Sequence, residues 1–328
     1  MLQWNNLGIF DIDAPQNFDE LALQIFRYQA NNNAVYKQFI EYLKIDINNI
    51  KSVTDIPFLP IQFFKEYTVT SAPGPFATVF KSSGTTGMTR SKHYVKDLAL
   101  YKTSFFKGFK YFYGDVSNYT ILALLPSYVA QGESSLVYMT QKLIEKSGQK
   151  YSGFYLDNTD ELAGILHELN TQNKQVLLLG VSYALLDLVE KHQFNLQNTI
   201  VMETGGMKGR RKEMLREELH EILCKGFGVD KIHSEYGMTE LLSQSYSKGK
   251  GIFKSPPWQK ILIRDTEDPF TYLPEGKTGG INVIDLANLY ACSFIATQDL
   301  GKIQQNSFEI LGRFDNSDVR GCNLLILS

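Results

Sequence analysis

Residues 174–206 read KQVLLLGVSYALLDLVEKHQFNLQNTIVMETGG. The apolar run KQVLLLGVS passes directly into YALLDLVEKHQF, whose apolar residues return at helical spacing, and NTIVMETGG then supplies a second apolar run. Short continuous apolar runs bounded by glycine and polar residues read as strands buried on both faces. A strand, a helix and a strand in that order make a crossover unit of a parallel sheet.

The same grammar extends both ways. YTILALLPS (119–127) reads as a buried strand, and SSLVYMTQKLIEKSG (134–148) as an amphipathic helix ending at Gly148. RKEMLREELHEILCKGFG (211–228) reads as a helix closed by Gly226, and VDKIHSEYGMTE (229–240) as a strand running into a loop. Upstream, FDELALQIFRYQAN (18–31), AVYKQFIEYLKI (34–45) and DLALYKTSFFKGFKYFYG (97–114) are helical. DIPFLPIQFFKEY (55–67) carries two prolines and reads as a packed crossing segment, and FATVFKSS (76–83) as a short strand. After about residue 245 the pattern changes to short strands, WQKILIRD, GGINVIDLA, CSFIATQDLG and SFEILGRF, which predict a smaller β-rich subdomain. The fold class is α/β. Loops 82–89, 180–183, 203–209 and 235–240 each follow a predicted strand. Ligands of open parallel sheets bind beyond the carboxyl ends of the strands, so four polar loops there predict one site.

Bulk properties narrow the function classes. The chain has 328 residues, 43% hydrophobic and 21% charged, with a net charge of −2, so no basic surplus draws it to nucleic acid or anionic lipid. YTILALLPSYVA and VLLLGVSYALLDLV are too short and too interrupted to span a bilayer. The N-terminal MLQWNNLGIFDIDAP has no basic region followed by an apolar one, so no signal peptide is expected. Cys224, Cys292 and Cys322 form no disulfide framework, and a reducing cytoplasm is the expected location. His220 and Cys224 stand four apart on a predicted helix, but two ligands do not close a zinc site.

The segment KSSGTTGMTRSKHY (81–94) carries the chemistry. It lacks both the Walker spacing and G-x-G-x-x-G. Gly84 and Gly87 permit close backbone approach, while Ser82, Ser83, Thr85, Thr86 and Thr89 supply hydroxyls and Arg90, Lys92 and His93 stand behind them. This reads either as a phosphate cradle or as an ordinary polar turn. EYGMTE (235–240) puts an aromatic ring, a hydroxyl and a carboxylate on one turn. Tyr236 there can stack on a base, Thr239 can bond a phosphate and Glu240 can hold Mg²⁺; the alternative is a surface turn. His233 reads as a strand residue satisfied by backbone, and His93 as one or the other: packed, or touching phosphate.

Together these motifs resemble the adenylate-forming superfamily of acyl-CoA synthetases, firefly-type luciferases and peptide-synthetase adenylation domains. SSGTTG resembles its phosphate loop, YGMTE its adenine and magnesium motif, TGGMK (204–208) its adenine-contacting strand end, ATQDLG (296–301) its ribose motif and LGRFD (311–315) its hinge. LLPSYV with SSLVYM, and GGMKGRRKE, resemble more closely the LuxE-type acyl-protein synthetase of the bacterial luminescence fatty-acid reductase. The resemblance implies that superfamily's large N-terminal domain over residues 1–312. That domain has parallel-rich sheets flanked by helices, with the β-rich subdomain at about 245–312. A short tail, 313–328, replaces a missing C-terminal domain.

The resemblance also implies ATP and Mg²⁺ as cofactors. Ser82, Ser83, Gly84, Thr85, Thr86, Gly87 and Thr239 would hold phosphates. Gly205, Gly206, Met207, Tyr236 and Gly237 would frame adenine, Asp299 and Arg313 would fix ribose, and Glu240 would bind the metal. Lys92, Lys208 or a partner protein would supply the adenylation lysine. The implied substrate is a carboxylic acid, long-chain acyl included, and the implied acceptor a thiol: Cys322, or one on an acyl-accepting partner such as a reductase. Cys322 stands nine residues after Arg313, a reach of roughly 30 Å when extended; it reads equally as core of the terminal strand CNLLILS. Cys224 and Cys292 read as packing. Two other readings stay open: an acyl-CoA or carrier-protein ligase completed by a separate subunit, and a non-catalytic nucleotide-binding partner subunit.

Overall fold

Helix α1 (Pro15–Asn32) is the first α-helix, with proline at its first turn, where the missing amide costs no hydrogen bond. These elements come from a computed structural model, which describes residues 2–83, 89–126, 133–205, 211 and 214–313. Next come α2 (Ala34–Tyr42), capped by the Asn33 side chain, then β1 (Leu59–Pro60) and α3 (Phe63–Glu66) in the predicted crossing segment. Strands β2 (Thr78–Lys81) and β3 (Lys92–Val95) flank the hydroxyl-rich loop. They lead to α4 (Leu98–Tyr113), which starts at an Asp97 cap and ends at Gly114.

The alternating part follows: β4 (Thr120–Leu124), α5 (Ser135–Ser147), β5 (Gly153–Phe154), α6 (Thr159–Thr171), β6 (Val176–Val181), α7 (Ser182–Lys191), β7 (Thr199–Thr204), α8 (Arg216–Phe227) and β8 (His233–Tyr236). Strands β9 (Ser245–Ser247), β10 (Ile252–Lys254), β11 (Gln259–Arg264), β12 (Gly279–Asp285), β13 (Phe294–Gln304) and β14 (Ser307–Arg313) complete it. No described helix is long and apolar enough to cross a membrane.

The chain divides into two compact units, Phe76–Pro256 and Met1–Pro75 with Pro257–Ser328. In the first, the strand order is β10-β9-β8-β7-β6-β4-β5. Strands β4 to β8 run parallel, and β9 pairs antiparallel with β8. Every residue of β4 and β6 is buried, as continuous apolar runs require of strands covered on both faces. Hairpin β2–β3 is a separate two-stranded sheet. In the second unit β11, β12, β13 and β14 form an antiparallel meander, and β1 pairs parallel with β13 at Leu59↔Ile295.

Helix α1 is fastened to the second unit's meander by two buried amides. Gln29 Nε2 donates to the Asn288 and Leu289 carbonyls at 3.1 and 2.9 Å, its Oε1 accepts from Ser293 N–H, and Asn33 Nδ2 donates to the Ala291 carbonyl.

Three details of the sequence reading change. No loop occupies 180–183: β6 runs to Val181 and α7 begins at Ser182. Gly180 permits this abrupt junction, because a Cβ there would lie 2.8 Å from Leu185 Cγ. The glycine that closes α8 is Gly228, in the left-handed region at φ +66°, and not Gly226. Gly226 lies inside the helix, where a Cβ would come 2.4 Å from Val189 Cβ. Loop 82–89 joins an antiparallel hairpin instead of following a strand of the parallel sheet. A four-residue apolar segment carries no signal of which neighbour it will pair with.

Candidate active site

Hairpin β2–β3 sets Phe80 opposite His93 and Lys81 opposite Lys92. Strand alternation turns Phe80 and His93 inward, 1% exposed each, and leaves Lys92 exposed. The base of the loop is clamped. Ser82 N–H donates to the Ser91 carbonyl at 3.1 Å, and Ser82 Oγ accepts from Ser91 N–H at 2.9 Å. Arg90 donates from Nε to the Ser82 carbonyl and from Nη1 to Glu133 Oε2, and Glu133 also pairs with the Lys81 ammonium. The Lys81 contact holds the Glu133 carboxyl below its ordinary value. Ser83 is exposed at the loop's edge, whereas Gly84, Thr85, Thr86 and Gly87 lie outside the described residues.

The tyrosine–glutamate turn follows β8. Tyr236 is half-buried, its ring edge-on to Phe253 at 6.1 Å, and the Arg216 guanidinium lies 5.2 Å from the other ring's centroid. A Cβ at Gly237 would meet Glu235 Oε1 at 2.5 Å, so a side chain there would push the Glu235 carboxylate aside. Thr239 is half-buried and Glu240 only 6% exposed. The Thr239 carbonyl accepts a hydrogen bond from His93 Nδ1 at 2.8 Å across 146 residues of sequence. The Nδ1 of His93 is therefore engaged by the backbone of this turn. One bond thus brings together the hairpin of the first motif and the turn of the second.

Two further carboxyls flank these motifs, and neither was singled out from the sequence. Because β7 and β8 pair Glu203 with Ser234, their next residues share the opposite face, and there Thr204 Oγ donates to Glu235 Oε2 at 2.5 Å. Glu203 points the other way, with Ser182 Oγ at 3.4 Å, His220 Nε2 at 3.6 Å and Arg216 Nε at 4.0 Å. Burial pushes the Glu203 carboxyl up, but His220, Ser234 and Arg216 together outweigh it, and the net displacement is downward. The signal was available: period-2 alternation through VMET and HSEY assigns these faces. Gly205, at φ +73°, begins the glycine-rich strand end, and Gly206, Met207 and Lys208 lie outside the described residues.

The compact unit built from both chain ends holds the ribose candidates. Register sets Asp299 opposite Arg313, with Arg313 Nε 3.4 Å from Asp299 Oδ1. The Asp299 side chain is 12% exposed and that of Arg313 is 64% exposed. Beneath them Arg264 is buried, donating to the Ile281 carbonyl, Asn282 Oδ1 and the Thr297 carbonyl at 2.6–2.8 Å. Gly280 makes room for it, since a Cβ would lie 2.5 Å from Arg264 Cζ. Burial pulls the Arg264 guanidinium down to about 10 against the opposing pull of Tyr272 and Asp299. Cys292 is buried, which pushes its thiol up to about 12, and burial also raises Cys224. Cys292 is thus a packed thiol, whereas Cys224 is half-buried on α8. Cys322 lies outside the described residues.

The donor set suits Mg²⁺ arriving with a nucleotide. No group of three or more His, Cys, Asp or Glu able to hold a metal occurs among the described residues. Mg²⁺ commonly takes one or two carboxylates and completes its shell with substrate phosphates and water, so one carboxylate such as that of Glu240 would suffice on the protein's side.

The family described as "Acyl-protein synthetase, LuxE" matches residues 13–328. No curated protein matches. Among solved structures, ATP-bound MatB from Rhodopseudomonas palustris is similar with a TM-score of 0.55 at 19% identity, over 73% of this chain and 48% of MatB. An open conformation of 2-hydroxyisobutyryl-CoA ligase, in complex with 2-HIB-AMP and CoA, gives 0.63 at 12% identity over 92% of this chain and 71% of the ligase. The same ligase in its postadenylation state with R3-HIB-AMP gives 0.65 at 11%, over 96% and 72%. The chain spans about half the length of MatB. At these identities the likeness shows a shared fold.

Proposed function

Since the chain belongs to the LuxE acyl-protein synthetase family, we propose that it activates a carboxylic acid with ATP and passes the acyl group to a thiol. One observation carries the reading: the His93–Thr239 bond, which joins the hydroxyl-rich hairpin to the turn bearing the buried Glu240. Motifs that far apart in sequence need a reason to converge, and a magnesium–nucleotide spanning both supplies it.

A carboxylate oxygen attacks the α-phosphorus, the bond to the β-phosphate breaks, and pyrophosphate leaves. Positioning and charge stabilisation supply most of the rate in such transfers. Ser82, Ser83, Gly84, Thr85, Thr86, Gly87, Thr239 and Lys92 hold phosphate oxygens, and Glu240 holds Mg²⁺, whose chemistry is to offset the developing charge. Gly205, Gly206, Met207, Tyr236 and Gly237 frame adenine, and Asp299 with Arg313 fixes ribose. A thiolate then attacks the acyl carbonyl of the acyl-AMP, AMP leaves, and the thiol proton passes to solvent. In this reading residues 1–312 are the adenylating body, and 313–328 the tail that presents Cys322 in a reducing cytoplasm. The acid is a fatty acid, and the acyl group moves on to a partner.

A second reading, transfer to coenzyme A or a carrier protein, is favoured by the likeness to a ligase whose complex holds CoA. Acid-dependent exchange of labelled pyrophosphate into ATP, over a panel of chain lengths, tests the first half-reaction. Glu240→Gln is expected to lower that exchange about 100-fold or more; unchanged exchange overturns the role of Glu240. Intact mass after ATP plus acid, with Cys322→Ser beside it, tests the acceptor. A mass gain lost in Cys322→Ser supports the tail thiol, and active exchange with no mass gain favours the second reading.

A further inference from the structure

We infer that His93 is a positioning residue: its ring N–H fixes the peptide between Thr239 and Glu240 and thereby aims the Glu240 carboxylate. This deepens the proposed function and rests on it.

A carbonyl oxygen only accepts, so the contact of 2.8 Å requires the proton on Nδ1. The ring is held from behind. His93 is 1% exposed and lies opposite Phe80, which packs edge-on to Tyr101 at 5.6 Å and tilted on Tyr138 at 5.7 Å. The donor therefore belongs to a packed strand of the same hairpin that launches residues 84–88. The acceptor belongs to a planar peptide whose other end is the nitrogen of Glu240. Fixing that plane fixes where the Glu240 side chain departs. Farther along, Leu241 N–H bonds the Met238 carbonyl at 3.2 Å, and Ser243 Oγ meets Ser104 Oγ of α4 at 3.0 Å. The turn is thus tied on its C-terminal side to α4 and at its centre to the hairpin. One imidazole thus ties strand β3 to the peptide that precedes Glu240.

The test uses the full chain and two variants of equal shape. In His93→Asn the amide nitrogen takes the place of Nδ1, and His93→Leu has the same branching without a donor. In the ligand-free protein, amides of residues 237–242 are expected to exchange hydrogen about tenfold faster in His93→Leu and within about threefold of wild type in His93→Asn. In the pyrophosphate exchange assay, half-saturating Mg²⁺ should rise about tenfold in His93→Leu with the KM for the acid unmoved, and return in His93→Asn. Equal amide exchange in His93→Leu and wild type overturns the inference, as does a His93→Asn variant as impaired as His93→Leu. If His93→Leu does not fold, His93→Gln replaces it, because its amide reaches the Nε2 position and leaves the carbonyl unbonded. A wild-type chain that forms no acyl-AMP with any acid overturns the proposed function, while the amide comparison still decides the role of His93.

Discussion

Thr204 and Glu235 come from strands that the sequence separates by 31 residues, yet their side chains meet at 2.5 Å in a buried setting. Thr204→Val keeps the shape and removes the donor. Leaving a buried carboxyl short of its partner costs roughly 1.5–3 kcal/mol, so the urea midpoint should fall with an unchanged m-value. His233 gives a pH-dependent counterpart. Burial first, then the charges of Lys231 and Lys248, lowers it from 6.5 to about 4, and Tyr113 O–H sits 3.1 Å from its Nδ1. The folded value lies below the unfolded one, so the unfolded chain takes up the proton first. The stability from this neutral histidine is complete above about pH 6.5. It drains away as pH falls to about 4, by roughly 3 kcal/mol in all. In His233→Gln the slope of stability against pH across that window should flatten, as measured by urea melts at several pH values. At this scale the sequence disclosed residue types and motif order. It did not disclose partners such as Thr239 for His93, because that pair is 146 residues apart and no local pattern encodes it.

Elements were the more legible level. Apolar runs of five or six residues became β4, β6 and β7, and the intervening amphipathic segments became α5, α7 and α8, because burial on two faces or one leaves that mark in composition. The two-residue strands β1 and β5 and the antiparallel turn-back of β2–β3 left none, since their pairing is decided by the surrounding sheet. Gly226 shows where propensity misleads. Alanine is favoured over glycine inside a helix by about 1 kcal/mol. Here, however, the added Cβ would lie 2.4 Å from Val189 Cβ on α7, and overpacking costs roughly 1–3 kcal/mol. Gly226→Ala is therefore expected to lower the melting temperature by a few degrees, in a calorimetric scan, despite the better helix former. An unchanged or higher midpoint would show that α7 and α8 slide apart freely.

At the scale of the whole molecule, the unit holding Asp299 and Arg313 is assembled from sequence on both sides of the Phe76–Pro256 unit. Gln29 and Asn33 carry that closure through bonds to residues 288–293. Gln29→Leu takes the acceptor from the buried Ser293 amide, while the Leu289 carbonyl keeps its bond from Ser71 Oγ. It should cost roughly 1–3 kcal/mol in equilibrium urea unfolding, a larger loss than removing one surface ion pair. The discontinuity also imposes an order on synthesis. When α1 leaves the ribosome, the strands that bring Lys260 to Phe18 and Phe294 to Phe26 have not been translated, and at about 5–20 residues per second the wait is on the order of ten seconds or more. Throughout that interval α1 has α2 against it, through Phe26 and Tyr36, but not those strands, so this unit closes late.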